Sequence, residues 1–340
     1  MNPHQRLQAT ITQIEGAYAP ATIRAYAADF AAFMRFCDSK NYSALPASSV
    51  ALAEFIRDLS HSGRSSGTIR GAVVGISAIH LLNQFSDPTK GTEARLEMKR
   101  MHRTLGRASK QAFGITQSIL SQLLAQVDCS VRGLRDAALL QLAYDTLCRR
   151  SELVSLQLCD LRSHALAGVI HNSILLRKTK VDQESMGRWL ALRAETVLAI
   201  ERWRTAAGIH EGYVLRGVKR NMQITAYLCS GQINRIYKRL ARSAQLSPEI
   251  VQQISGHSCR VGAAQDLLAL GASMPMIMNR GGWSKTDTVM RYLERYGSTK
   301  INLRTLQHEC PRVINLIIAL ARVIRLHRRS LKTEIQNLRI

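Results

Sequence analysis

The chain has 340 residues, 46% of them hydrophobic, which is enough for two domains with their own cores and too apolar for a disordered polyelectrolyte. Lysine and arginine number 47 against 24 acidic residues, a net charge of +23 at pH 7, and an excess that large points to a polyanionic partner, most simply nucleic acid. Seven cysteines without a C-x-x-C pair argue against a disulfide framework or zinc ribbon and for a reducing compartment; Cys148 and Cys159, in apolar runs, are expected to be core thiols.

The amino-terminal stretch MNPHQRLQATITQIEG lacks the apolar segment of a signal peptide. Residues 22–37 place Ile23, Tyr26, Ala27, Phe30, Phe33, Met34 and Cys37 at helical spacing, with Thr22 as N-cap. Further helices are predicted over 48–60, 66–85 and 91–105. In the third of these four helices Gly67, Gly71 and Gly75 recur every fourth residue, a spacing that lets another backbone come close. The first domain, residues 1–105, is therefore read as an all-helical bundle, and the basic, glycine-containing stretch 106–115 as a linker. Residues 134–147 form an apolar, buried helix. Residues 167–194 alternate and are rich in β-branched residues, predicting a small set of strands with a turn near 181–187. Helices resume from Ala194 to the end. The longest apolar run, VINLIIALARVI at 313–324, is too short to span a bilayer and contains Arg322, so a soluble, intracellular (cytoplasmic) protein is expected.

There is no P-loop, no glycine-rich dinucleotide fingerprint and no H-E-x-x-H; His308-Glu309-Cys310 has no companion ligands, and neither metal nor cofactor is expected. What remains is a set of scattered cations and late tyrosines. On a helix Arg149 shares a face with Glu152 and Leu153, while Arg150 turns away by about 100° toward solvent or phosphate. Lys178 and Lys180 follow a strand on one side, with Arg177 and Thr179 on the other. His257 and Arg260 lie three apart at a helix start. Tyr292 and Tyr296 lie four apart on one helical face. Lys99, Arg100, Arg103, Arg107 and Lys110 form one basic cluster, suited to DNA phosphates; Arg322, Arg325, Arg328, Arg329 and Lys332 form another.

In this order and spacing the residues resemble the tyrosine site-specific recombinases, the phage-integrase family, and especially its Cre branch, over residues 20–298. The segment 255–293 holds His257 and Arg260 as the family's H-x-x-R, Gly281-Gly282-Trp283 as its G-G-W element, and Tyr292 nine residues beyond the tryptophan. Arg149 matches the first family arginine, with Glu152 its acidic neighbour. Lys180 matches the strand–turn lysine, with Lys178 the alternative register. The resemblance implies a mainly α fold with a small antiparallel β-sheet, comprising a helical, SAM-like core-binding domain and a tyrosine-recombinase catalytic domain at 116–300. The two are expected to close on double-stranded DNA as a C-shaped clamp. It also implies a homodimer on each inverted-repeat site and a homotetramer in the synapse.

The implied chemistry is transesterification by Tyr292 through a 3′-phosphotyrosyl intermediate, with Tyr296 packing the same helix. Arg149 and Arg260 are expected to clamp the phosphate, since guanidiniums match phosphate oxygens and stay charged. Lys180 is expected to protonate the departing 5′-oxygen, and His257 to accept the tyrosine proton or bond the phosphate. Trp283, where many family members carry histidine, has only an N–H donor and cannot be a base; it is expected to donate to a phosphate oxygen or to buttress the site. Residues 301–340 depart from the family pattern. They read as a helical tail whose apolar stripe, Ile314, Ile317, Ile318 and Ala321, is expected to dock on a partner protomer. A catalytically silent DNA-binding relative and a type IB topoisomerase or telomere resolvase are the competing readings.

Overall fold

The computed structural model describes residues 2–107, 111–177 and 187–292 and divides into two compact units, Met1–Lys110 and Gln111–Ile340. Lys110, Lys178, Lys180, Tyr296, most of the turn near 181–187 and the tail lie outside the described residues.

The first unit is helical among its described residues: α1 (Pro3–Gln13), α2 (Pro20–Lys40), α3 (Ser49–His61), α4 (Ser66–Leu82) and α5 (Thr92–Leu105). Local chemistry sets the starts. Asn2 opens α1 with a reciprocal cap, its side chain accepting from Gln5 N at 2.8 Å while Asn2 N donates to Gln5 Oε1 at 3.0 Å. Ser48 and Ser65 cap α3 and α4 through the N–H groups of Ala51 and Thr68. Helix α2 begins before the expected cap: Thr22 lies inside it and Pro20 takes the first turn, where its missing N–H costs nothing and its φ is already helical. The apolar face of α2 supplies Phe30, Phe33 and Met34 to a core shared with Leu52, Ile56, Ile69 and Ile76. Of the three evenly spaced glycines, only Gly75 makes the close approach. A Cβ there would lie 3.3 Å from the Asp29 Cβ on α2, whereas Gly71 faces open space.

The second unit contains α6 (Gln117–Leu124), α7 (Val131–Thr146), α8 (Arg150–Leu153), β1 (Leu161–Leu166), β2 (Val169–Leu176), β3 (Arg188–Leu192), α9 (Ala194–Ala206), α10 (Ser230–Ser243), α11 (Pro248–Gln253), α12 (Ser258–Ala269) and α13 (Met274–Gly281); residues 286–292 are helical again. The fold is mainly α with one antiparallel sheet of order β1-β2-β3. Strand β1 precedes the stretch that alternation had marked. It joins β2 through Ala167 (φ 50°) and Gly168 (φ 76°), the two positive-φ positions that a tight hairpin needs to match strand twist. One sheet face buries Ile174, Leu176, Leu190 and Leu192; the other leaves His164, His171 and Trp189 exposed. Helix α7 is buried through Leu139, Leu140, Leu142 and Ala143.

Two further expectations are corrected. Residues 207–229 contain no helix; the chain there is tied by isolated bridges, Gln157 to Tyr213 and Val218 to Ile224. Cys148 is a buried thiol but Cys159 is exposed, because it sits on a short 3-10 turn beside Arg177, whose Nη2 lies 3.2 Å from its sulfur. The described cysteines are all free thiols.

Candidate active site

Leu147 ends α7 in the left-handed conformation (φ 50°), and the reversal delivers Cys148 to the core and leaves Arg149 half-buried. Arg149 is not inside a helix with Glu152, as periodicity suggested. It is the N-cap of α8, with extended backbone, because the chain must leave α7 before starting again. The expected pairing still forms: Arg149 Nη1 donates to Glu152 Oε1 at 2.7 Å and Arg149 N to Oε2 at 2.9 Å. Burial works to raise the Glu152 carboxyl, but these bonds and the charges of Arg149 and Arg260 outweigh it and hold the group below the usual carboxylate range. Arg150 turns outward and is exposed.

His257 and Arg260 come from the start of α12, His257 as its N-cap. Arg260 is buried. Its Nη1 donates to the Leu147 carbonyl, and its Cζ lies 4.1 Å from the centroid of the Trp283 ring. Its Nη2 is buried with no hydrogen-bond partner among the described residues. Burial, then Arg149, push its pKa down to about 10, against the pull of Glu152 and Tyr292; it stays charged at neutral pH. His257 is exposed at its edge, yet crowding by protein atoms is the largest influence on its ring. Together with Arg260, Arg150 and Arg149 it lowers the pKa from the ordinary histidine value. A neutral imidazole at pH 7 results, free to accept a proton.

The two glycines before Trp283 each have a physical role. A side chain on Gly281 would overlap the indole ring. Gly282 adopts the left-handed cap of α13 (φ 64°), with Gly282 N donating to Asn279 O at 3.1 Å and Trp283 N to Met278 O at 3.0 Å. This closure turns the indole inward. Helix 286–292 then buries Val289 and brings Tyr292 to the tryptophan, ring centroids 5.8 Å apart. The Tyr292 carbonyl accepts from Gln265 Nε2 on α12 at 3.0 Å. The structure thus joins Arg149, Glu152, His257, Arg260, Trp283 and Tyr292 in one neighbourhood. Lys99, Arg100, Arg103 and Arg107 are exposed on and just beyond α5, in the other unit, with Arg100 also bonding Glu97 at 2.9 Å.

Sequence reasoning missed Arg188. It opens β3 opposite buried Leu176, on the inward face of the sheet. Its Nη1 donates to the Asn279 carbonyl at 2.6 Å, and Glu152 and Arg149 both act on its charge. No local pattern marks it, since it stands in an alternating strand like any surface arginine. Among the described residues no group of three or more His, Cys, Asp or Glu could hold a metal ion.

Several cations converging beside a tyrosine, with one carboxylate among them, suit a substrate that gains negative charge during reaction. Comparisons with known proteins agree in kind. The sequence model of the Phage integrase family matches residues 114–298. The chain is 30% identical to the integrase/recombinase XerD homolog of Selenomonas ruminantium over 302 residues, 85% of this chain and 86% of that protein. It is 25% identical to the Cre recombinase of Escherichia phage P1 over 280 residues, 77% and 80% of the two chains. Among solved structures, the XerH site-specific recombinase bound to a palindromic difH substrate, in its post-cleavage complex, superposes with a TM-score of 0.59 at 18% identity, covering 84% of this chain and 78% of that one.

Proposed function

The chain belongs to the phage integrase family, the tyrosine recombinases, and on that premise we propose that Tyr292 is the nucleophile with which it cuts and rejoins DNA strands at a specific site. The observation that carries this reading is Arg260: a buried guanidinium lying on Trp283, with one N–H arm unpartnered among the described residues, beside the tyrosine. A buried donor without a partner is costly, and a phosphate oxygen would satisfy it. Arg149, oriented by Glu152, supplies the second fork.

The Tyr292 hydroxyl attacks phosphorus as the bond to the 5′-oxygen breaks. The products are a 3′-phosphotyrosyl ester and a free 5′-hydroxyl. The tyrosine proton passes to His257, which is neutral at pH 7; Lys180, or Lys178 in the alternative register, returns a proton to the leaving oxygen. A free tyrosine has a pKa of about 10, so the base and the surrounding cations are what make it reactive. The pentacoordinate transition state carries extra negative charge, which Arg149 and Arg260 stabilise; losing one such preorganised donor costs about 10²–10³ in rate. The ester conserves the energy of the broken bond, so rejoining needs no nucleotide.

The partner is double-stranded DNA with inverted-repeat sites, bound by a homodimer and synapsed as a homotetramer. Exposed Lys99, Arg100, Arg103 and Arg107 contact phosphates, and binding therefore weakens steeply with salt. The protein works where its DNA is, in the cytoplasm of a prokaryote or host of a mobile element; among the described residues no helix is long and apolar enough to cross a membrane. The test is to incubate the protein with host DNA, denature it and sequence covalently attached fragments. Wild type and Tyr296→Phe are expected to give adducts and Tyr292→Phe none. An adduct from Tyr292→Phe overturns the assignment.

A further inference from the structure

Arg188 has an environment that ordinary surface packing does not explain. Its side chain lies inward from the first residue of β3, opposite Leu176, and no carboxylate pairs with it among the described residues. Its Nη1 bonds are to main-chain carbonyls at the end of α13, Asn279 O at 2.6 Å and Arg280 O at 3.4 Å. Its Nε is buried without a partner among the described residues. Burial lowers its pKa, opposed by Cys148 and Glu152, with Arg149 adding to the lowering. Charge held in such a place is expensive, and the nearby carbonyl end of a helix only partly offsets it.

What the guanidinium touches is the turn that sets Trp283. Gly282 lies against it so closely that a Cβ there would come within 2.8 Å of Nη1. The next residue is Trp283, which lies 4.1 Å from Arg260 and 5.8 Å from the Tyr292 ring. The second unit therefore contains a continuous contact path: Arg188, the end of α13, Trp283, then Arg260 and Tyr292. We infer that Arg188 is a positioning residue for cleavage, fixing the end of α13 so that Trp283 holds Arg260 and Tyr292 in register with each other. It acts through Trp283 and does not itself touch the phosphate. The inference rests on Tyr292 being the nucleophile.

The test uses the full chain and a synthetic duplex carrying the site recovered from the covalent adducts. Single-turnover cleavage is measured with the natural 5′-oxygen and with sulfur in its place, a leaving group that departs without a proton. DNA affinity is measured across a salt series. Arg188→Met is expected to bind as wild type, with the same salt slope, and to cleave about 100-fold more slowly, the effect of misplacing reacting groups by about 1 Å. The defect is expected to be equal on oxygen and sulfur substrates, and Arg188→Lys is expected to fall between Met and wild type.

A wild-type rate overturns the inference. So does a defect that vanishes on the sulfur substrate, which would make Arg188 an aid to the leaving group. A shallower salt slope would make it a phosphate contact and overturns it as well. Should Arg188→Met fail to fold, Arg188→Lys decides on the same readouts, a rate within about twofold of wild type counting against positioning. Tyr292→Phe runs alongside. An adduct from it removes the nucleophile and this inference together; a silent Tyr292→Phe beside a fully active Arg188→Met removes this inference alone.

Discussion

Replacing Glu152 by glutamine keeps the shape of the side chain and removes its charge. Glu152 is 5% exposed and its partner's side chain 25% exposed, so the pair is neither a surface ion pair of negligible worth nor fully sealed. Glutamine can still accept from Arg149 N through one oxygen, but it turns an NH₂ toward the guanidinium. A hydrogen bond to a charged group is worth about 1.5–3 kcal/mol, and breaking a fully buried pair costs about 3–5 kcal/mol. The solvent reaching Arg149 discounts the upper figure, and about 2–3 kcal/mol is expected. For a unit of this size that corresponds to a fall of roughly 4–12 °C in Tm.

The pH dependence has a definite sign. The folded carboxyl is held below its ordinary value, so its contribution is fully present above the unfolded value of about 4.3 and disappears as pH falls through the lower folded value. Glu152→Gln lacks that titration. Denaturant melts of both proteins should differ by the full amount at pH 7 and converge in acid. Equal midpoints at pH 7, or a gap that persists unchanged through acidification, would refute the claim that Glu152 is an ionised anchor for Arg149.

Two further outcomes follow from the same geometry. Single-turnover cleavage should stay level through neutral pH and fall only below the ordinary histidine value of about 6.5, because the His257 pKa is lowered and the neutral base persists into mild acid; an unchanged acid limb in His257→Ala would assign it to another group. Gly262→Ala should destabilise the second unit by about 1–3 kcal/mol, as overpacking does, since a Cβ there would overlap the Ile115 carbonyl, backbone against backbone; an unaltered melting temperature would show that residues 113–116 yield easily.

Much of the helical frame is legible locally. The face of α2 follows its apolar periodicity, α7 is buried as its apolar run predicts, and α3 and α4 start within a residue of the predicted positions. The Gly281-Gly282-Trp283 element is legible only through its resemblance to the family; the structure supplies the physical reason, room for the indole at Gly281 and a left-handed cap at Gly282. Local reading fails where a neighbour decides. Thr22 looked like a cap, but Pro20 starts the helix two residues earlier. Gly71 has the spacing of a packing glycine, yet none of the described residues passes over it. Cys159 lies in an apolar run, yet the 3-10 turn places it beside Arg177 at the surface.

The site divides along the same line. By itself the sequence determines which side chains are present and in what order, because phosphate chemistry calls for guanidiniums, a base and a nucleophile whose identities no packing can alter. It also determines the Arg149–Glu152 pair, three residues apart. Only the tertiary structure decides that Arg260 is buried with a free N–H arm on Trp283, since that depends on α7, α12 and the end of α13 meeting. It also decides that an arginine opening β3 holds the turn before Trp283, more than ninety residues away along the chain. Burial, which makes those charges responsive to one another, is a property of packed elements, and no window of sequence contains it.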